Sequence, residues 1–194
     1  FKVAMTPPHG PVFLSIPYDI TLAPAVIDKM DPPTKVASGF CAEPEALKQI
    51  ANELLAARKP LIVSGDGVGD ANAHSELQQL AELVGAGVVS EAMPTRQNVD
   101  NRHPLFLGTL QTNPKQIRQI YSEHDVLFYV GVGAQAAVTV YDNGGSLVPA
   151  GTKMLYLHDD PWEIGKNVVG GLGAWGELKT SLAALINVVK NSAD

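Results

Sequence analysis

The stretch Lys59-Pro60-Leu61-Ile62-Val63-Ser64-Gly65-Asp66-Gly67-Val68-Gly69-Asp70 constrains the fold more than any other. A run of branched apolar residues, opened by proline and closed by small and acidic ones, reads as a strand buried on both faces that ends in a tight glycine turn. A helix is expected directly after it. From Ala71 to Val84, the residues Ala73, Leu77, Leu80, Ala81 and Val84 recur at three- and four-residue steps and so share one face. Beyond Gly85, Gly87-Val88-Val89-Ser90 supplies a second strand. A strand, a helical crossover and another strand make a βαβ unit, which favours a parallel, right-handed pairing.

The same alternation continues along the chain. Pro44 opens a helix to Arg58 whose Ala46, Leu47, Ile50, Ala51, Leu54 and Leu55 face inward. Ala92 to Thr112 reads as an irregular surface loop, because Met93-Pro94, His103-Pro104 and Gly108 interrupt it. Asn113 then caps a helix over 114–122, with Ile117, Ile120 and Tyr121 inward. Asp125 to Gly131 and Lys153 to Leu157 are further buried strands, and Glu177 to Lys190 is a closing helix. Apolar strands alternating with helices predict an α/β fold: a three-layer, mainly parallel Rossmann-like sheet with helices on both faces.

The N-terminal part reads differently. Gly10-Pro11-Val12-Phe13-Leu14-Ser15-Ile16-Pro17 resembles a compact strand whose partner is expected upstream of this chain. Tyr18 to Glu43 has no periodicity and carries Pro24, Pro32, Pro33 and Gly39, as an extended linker would. The absence of an initiator Met suggests a longer parent chain. At 194 residues, the chain can bury roughly 70% of its unfolded surface without metal or disulfide. Its net charge of −6 with scattered Lys and Arg argues against nucleic acid or an anionic membrane as partner. No apolar run reaches the length of a membrane span, and one cysteine, Cys41, suits a reducing cytoplasm.

In open α/β sheets, ligands bind beyond the carboxyl ends of the strands, here Gly65 to Asp70, Glu91 to Arg96, Gly131 to Ala137 and His158 to Trp162. A dinucleotide site would need Gly-x-Gly-x-x-Gly and an acid near the end of the second strand. Glu91 suits the acid, but the third glycine, Gly69, comes one residue early and Asp70 stands where it belongs. Asp66 and Asp70 also set negative charge where a pyrophosphate would lie, which favours a plain turn with an acidic cap. Gly65-Asp66-Gly67 lacks the second oxygen ligand that hard Mg2+ would need, so it too reads as a turn. His158-Asp159-Asp160 is read as a helix cap at Asp160 before Pro161, not a metal cluster. His9, His74, His103 and His124 have no companions at ligand or triad spacing, and Ser15 and Ser64 sit inside strands. Trp162 and Trp175 are expected to pack.

Five segments together resemble the thiamine diphosphate-dependent decarboxylase and acetolactate synthase superfamily. They are Gly10 to Asp19, Lys59 to Val68, His103 to Gly108, His124 to Gly131 and Asp159 to Asn167. Asp70-Ala-Asn-Ala73, Arg102-His-Pro104 and Tyr141-Asp-Asn-Gly144 look most like the benzoylformate decarboxylase branch. The resemblance implies residues 1–20 as the end of an N-terminal pyrimidine-binding domain, 21–43 as linker, 44–190 as central domain and 191–194 as the start of the next linker. It implies thiamine diphosphate and Mg2+ in the parent enzyme, held by N- and C-terminal domains that this segment lacks, and a homo-oligomer.

The segment itself would then be structural and inactive alone, with no catalytic residue expected in it. Thr139 would stand where the benzoylformate decarboxylase branch sends a histidine to the active site, and a threonine hydroxyl cannot exchange protons near neutral pH as an imidazole does. The alternative is a nucleotide-binding central domain, as in acetolactate synthases with FAD or oxalyl-CoA decarboxylases with ADP, using Gly65, Gly67, Glu91 and Arg96. A third reading is a stand-alone interaction domain.

Overall fold

The computed structural model describes residues 2–5, 10–25, 27, 29, 39–133, 144–168 and 170–192. The chain divides into two compact units, Phe1–Ser38 and Gly39–Asp194. In the first, α1 (Lys2–Met5) and α2 (Tyr18–Leu22) are short helices. Residues 10–17 form no strand, contrary to the apolar pattern, and Phe13 is 94% exposed. A strand needs a neighbour for its ladder of N–H and C=O groups, and no described segment pairs with this one. Nor is the chain wholly extended from Tyr18 onward, since α2 begins there directly after Pro17.

The second unit holds α3 (Pro44–Ala56), β1 (Pro60–Ser64), α4 (Asp66–Asp70), α5 (His74–Val84), β2 (Gly87–Ser90), β3 (Phe106–Thr109), α6 (Pro114–Ser122), β4 (Val126–Val130), β5 (Lys153–His158), β6 (Leu172–Trp175) and α7 (Leu178–Ser192). The six strands among the described residues join one parallel sheet in the order β3-β2-β1-β4-β5-β6. β1 and β4 are buried at every position, because each face of the sheet is covered. On one face, Ile62, Val88, Phe128, Leu155 and Leu157 meet α3, α5 and α7 through Leu47, Ile50, Leu80, Leu182 and Ile186. On the other, Leu61, Val63, Val89, Leu127 and Tyr129 meet Ile117 and Tyr121 of α6, with Leu147, Val148, Ile164 and Val168 packed alongside. This is the three-layer architecture expected.

Local chemistry sets the boundaries. Pro44 sits in the first turn of α3. The Asn113 side chain accepts from the Lys115 N–H at 3.0 Å, capping α6. Asp125 ties the amino end of the sheet together, taking the Arg58 and Lys59 N–H groups at 2.8 and 2.9 Å.

Two expectations are corrected. The helix expected from Ala71 starts at His74; the chain first makes the short α4 and then bends at Asn72, whose φ of 50° breaks helical continuity. The presumed loop from Ala92 to Thr112 contains β3, and β6, a strand that no sequence pattern signalled, forms just before α7. Both are edge strands of four residues, so neither needs the continuous apolar run that marked the central strands. Among the described residues, no helix is long and apolar enough to cross a membrane.

Candidate functional site at the carboxyl end of the sheet

A sheet ordered β3-β2-β1-β4-β5-β6 reverses direction between β1 and β4, and a crevice outside the carboxyl ends of those two strands is where open α/β sheets take ligands. Here the crevice is filled by the protein's own backbone. The Gly65 N–H donates to the Val130 carbonyl at 2.9 Å, and the Gly67 N–H donates to the Gly131 carbonyl at 3.0 Å. A methyl group on Gly65 would lie 2.2 Å from that same Gly131 oxygen. Gly69 faces Arg96 and Asn98, whose Cδ and Oδ1 would lie 2.8 and 3.1 Å from an added Cβ. The glycines that suggested a phosphate cradle thus serve close approach between the protein's own segments.

The acidic residues around the crevice are likewise engaged. Asp66 accepts from the Thr95 N–H at 2.9 Å, from the Thr95 hydroxyl and from Asn98 Nδ2 at 2.9 Å. Burial opposes its ionisation, but these bonds outweigh burial and hold its carboxyl below the usual value. Arg96 pairs with Asp70. Glu91, one residue past β2, donates its own N–H to the Ser64 carbonyl at 2.9 Å, and its Oε1 accepts the Asp66 N–H at 2.6 Å. The Gly133 backbone N–H also donates to its carboxylate. Burial is the largest influence on Glu91 and pushes its carboxyl up to about 7. The two N–H donors pull down, the Asp66 charge pushes up, and His158 pulls down.

Gly65, Gly67, Glu91 and Arg96 are therefore brought to one end of the sheet, yet bound to one another's neighbourhood. The nucleotide alternative gains no support from this geometry. Among the described residues, no group of three or more His, Cys, Asp or Glu side chains is disposed to hold an ion, and the Asp66 oxygens accept from Thr95 and Asn98. Thr139 and His9 lie outside the described residues.

The remaining candidates take local roles. His158 Nδ1 accepts from the Asp160 N–H at 2.9 Å and lies 3.1 Å from Asp159 Oδ1. Asp160 Oδ1 accepts from the Trp162 N–H at 2.9 Å, capping a turn and not the helix expected. His74 meets the Gln97 carbonyl at 2.7 Å, His103 meets Glu82 at 2.9 Å and His124 meets the Ile120 carbonyl at 2.8 Å. Ser64 closes β1, as expected, whereas Ser15 is in no strand. Of the tryptophans expected to pack, Trp175 is 55% exposed but lies edge-on to Phe40 with its indole N–H held by the Asp159 carbonyl, whereas Trp162 is 82% exposed.

Sequence reasoning missed Gly133, Thr95 and Asn98, polar partners contributed by loops without a motif. A cleft of about 680 Å³ opens elsewhere, lined by Gln49, Asn52 and Glu53 of α3 and by the starts of β5 and β6. It lies at the amino end of those strands, away from the end where such sheets place their chemistry.

Residues 47–185 match the family model of the thiamine pyrophosphate enzyme central domain. Benzoylformate decarboxylase of Pseudomonas aeruginosa is 30% identical over 196 residues, covering 99% of this chain and 36% of the relative. A probable acetolactate synthase large subunit of Methanococcus aeolicus is 30% identical over 194 residues, covering 96% of this chain and 31% of the relative. The crystal structure of benzoylformate decarboxylase from Polynucleobacter necessarius superposes with a TM-score of 0.77 at 28% identity, covering 96% of this chain and 34% of that one. The chain spans about a third of the length of the curated relatives it matches.

Proposed function

The chain belongs to the thiamine pyrophosphate enzyme family, as its central domain, and from that footing we propose that it is the scaffold domain of a 2-oxo acid decarboxylase similar to benzoylformate decarboxylases. The observation that carries this is the backbone closure of the β1/β4 crevice by Gly65, Gly67 and Gly131, which leaves the domain a rigid spacer. Similarity to a benzoylformate decarboxylase, 30% identical in an alignment covering 99% of the chain, supports the branch.

In this reading, residues 1–20 end a preceding domain, 21–43 link, 44–190 form the central domain and 191–194 lead onward. Thiamine diphosphate and Mg2+ are held by the domains on either side, and this segment binds neither. The reactive chemistry belongs to that cofactor, and the described residues of this chain take no step in it. By the family resemblance, Thr139 stands at the position where the benzoylformate decarboxylase branch sends a histidine to the active site. The enzyme works in the cytoplasm, in keeping with a lone cysteine, and as a homo-oligomer.

Product analysis on the full-length enzyme tests the reading. Supplied with thiamine diphosphate and Mg2+, it should convert benzoylformate or a close aryl 2-oxo acid to carbon dioxide and the aldehyde. Formation of acetolactate from pyruvate with no aldehyde from any aryl acid would overturn it.

A further inference from the structure

The cleft at the amino end of β5 and β6 has its cause in the register of the sheet. β6 pairs with β5 only from Leu155 and Leu172 onward, so Lys153 and Met154, the first two residues of β5, have no partner in β6. The chain enters β6 through Gly170 and Gly171, whose φ values of 96° and 100° lie outside the strand conformation. α3 supplies the facing wall. Its Leu47, Ile50 and Leu54 are buried, which leaves Gln49, Asn52 and Glu53, three and four residues apart, over the opening. The space of about 680 Å³ is of the size that takes a small molecule.

The lining divides by chemistry. Val148, Met154, Leu155 and Leu172 give it an apolar floor, and above them the Lys153 ammonium and the Glu53 carboxylate stand together as an ion pair. We propose that this cleft is a binding site for a free α-amino acid with an apolar side chain. The ligand's ammonium meets Glu53, its carboxylate meets Lys153 and an amide N–H of Gln49 or Asn52, and its side chain lies on the floor. Opposite charges side by side over an apolar surface match a zwitterion, whereas a simple anion or cation would set its charge beside one of its own sign. The pair can part to admit it. The Lys153 and Glu53 side chains are 58% and 35% exposed, and an ion pair so open to water is held together weakly. The site lies at the opposite end of the sheet from the β1/β4 crevice and does not depend on the activity proposed above.

Titration of the 15N-labelled chain with L-leucine, followed through its amide nuclear magnetic resonance spectrum, tests the site. The Gln49, Asn52 and Leu172 amides should shift together and saturate with a midpoint of about 1 mM or lower. Isocaproate lacks the amine, isoamylamine lacks the carboxylate and glycine lacks the apolar side chain; each should bind at least about tenfold more weakly. Glu53→Gln and Lys153→Gln should each raise the leucine midpoint about tenfold, with amide positions away from the cleft unchanged. Shifts that fail to saturate, shifts that fall outside the cleft, an analogue that binds as well as leucine, or a midpoint that neither substitution moves would each overturn the proposal. If the variants do not fold, the analogue series on the wild-type chain decides alone.

Discussion

Gly65 and Gly131 approach so closely that a methyl group on the first would sit 2.2 Å from the carbonyl oxygen of the second. Backbone stands on both sides of this contact, so neither partner can swing away as a side chain could. Gly65→Ala should cost about 3 kcal/mol, the upper range for overpacking a dense interior. Gly69→Ala meets mainly the flexible Arg96 side chain and should cost under about 1 kcal/mol. Urea unfolding midpoints of the two variants measure the difference; equal losses would mean that the crevice is looser than it stands here.

Glu91 makes stability depend on pH in a direction unusual for a carboxylate. Its folded-state carboxyl, at about 7, lies above the reference value of 4.5. Between those two values the unfolded chain has released a proton that the folded one keeps, so stability should fall as pH rises from about 4.5 to about 7 and level off beyond. The full shift is worth about 3 kcal/mol, which partial exposure reduces to on the order of 1–2. Glu91→Gln should remove that slope and be the more stable protein at pH 8, as thermal melts at stepped pH would record.

Asp125 acts in the opposite sense at the other end of the sheet. Burial opposes its charge, yet the Arg58 and Lys59 N–H groups overcome this and hold its carboxyl below the usual 3.8. Its stabilisation is present above the unfolded-state value and is lost as pH falls through the lower folded one. Asp125→Ala should cost about 1–2 kcal/mol at pH 7 by leaving two N–H groups without their acceptor. The loss should shrink in melts taken at the acid end.

Asn113→Ala should cost about 1 kcal/mol by removing the cap on α6, while Asn113→Asp should retain most of it. Denaturant unfolding of both variants separates the cap from general effects of substitution. Indistinguishable losses would show that the cap contributes nothing through its side-chain acceptor.

The legible part of this fold is its centre. β1 and β4 are buried on both faces and therefore had to be continuous apolar runs, and α3, α5 and α7 carry one-sided periodicity because each covers the sheet. The edges were not legible. β3 contains Gly108 at a φ of 115° and β6 contains Gly173, and both are only half covered, so composition marked the first as loop and left the second without a strand signal. Glu91 was legible as an acid at the end of the second strand, but its partners Asp66 N–H and Gly133 N–H are backbone groups, which no side-chain pattern reports. Likewise Gly65-Asp66-Gly67 looks the same in sequence whether its N–H groups face a ligand or the Gly131 carbonyl.

Calorimetric titration of the purified chain with thiamine diphosphate and Mg2+ tests the central claim most directly, that this domain is a spacer whose crevice its own backbone fills. No saturable heat is expected. A micromolar isotherm would contradict it, because it would require the Gly65, Gly67 and Gly131 contacts to open for a diphosphate.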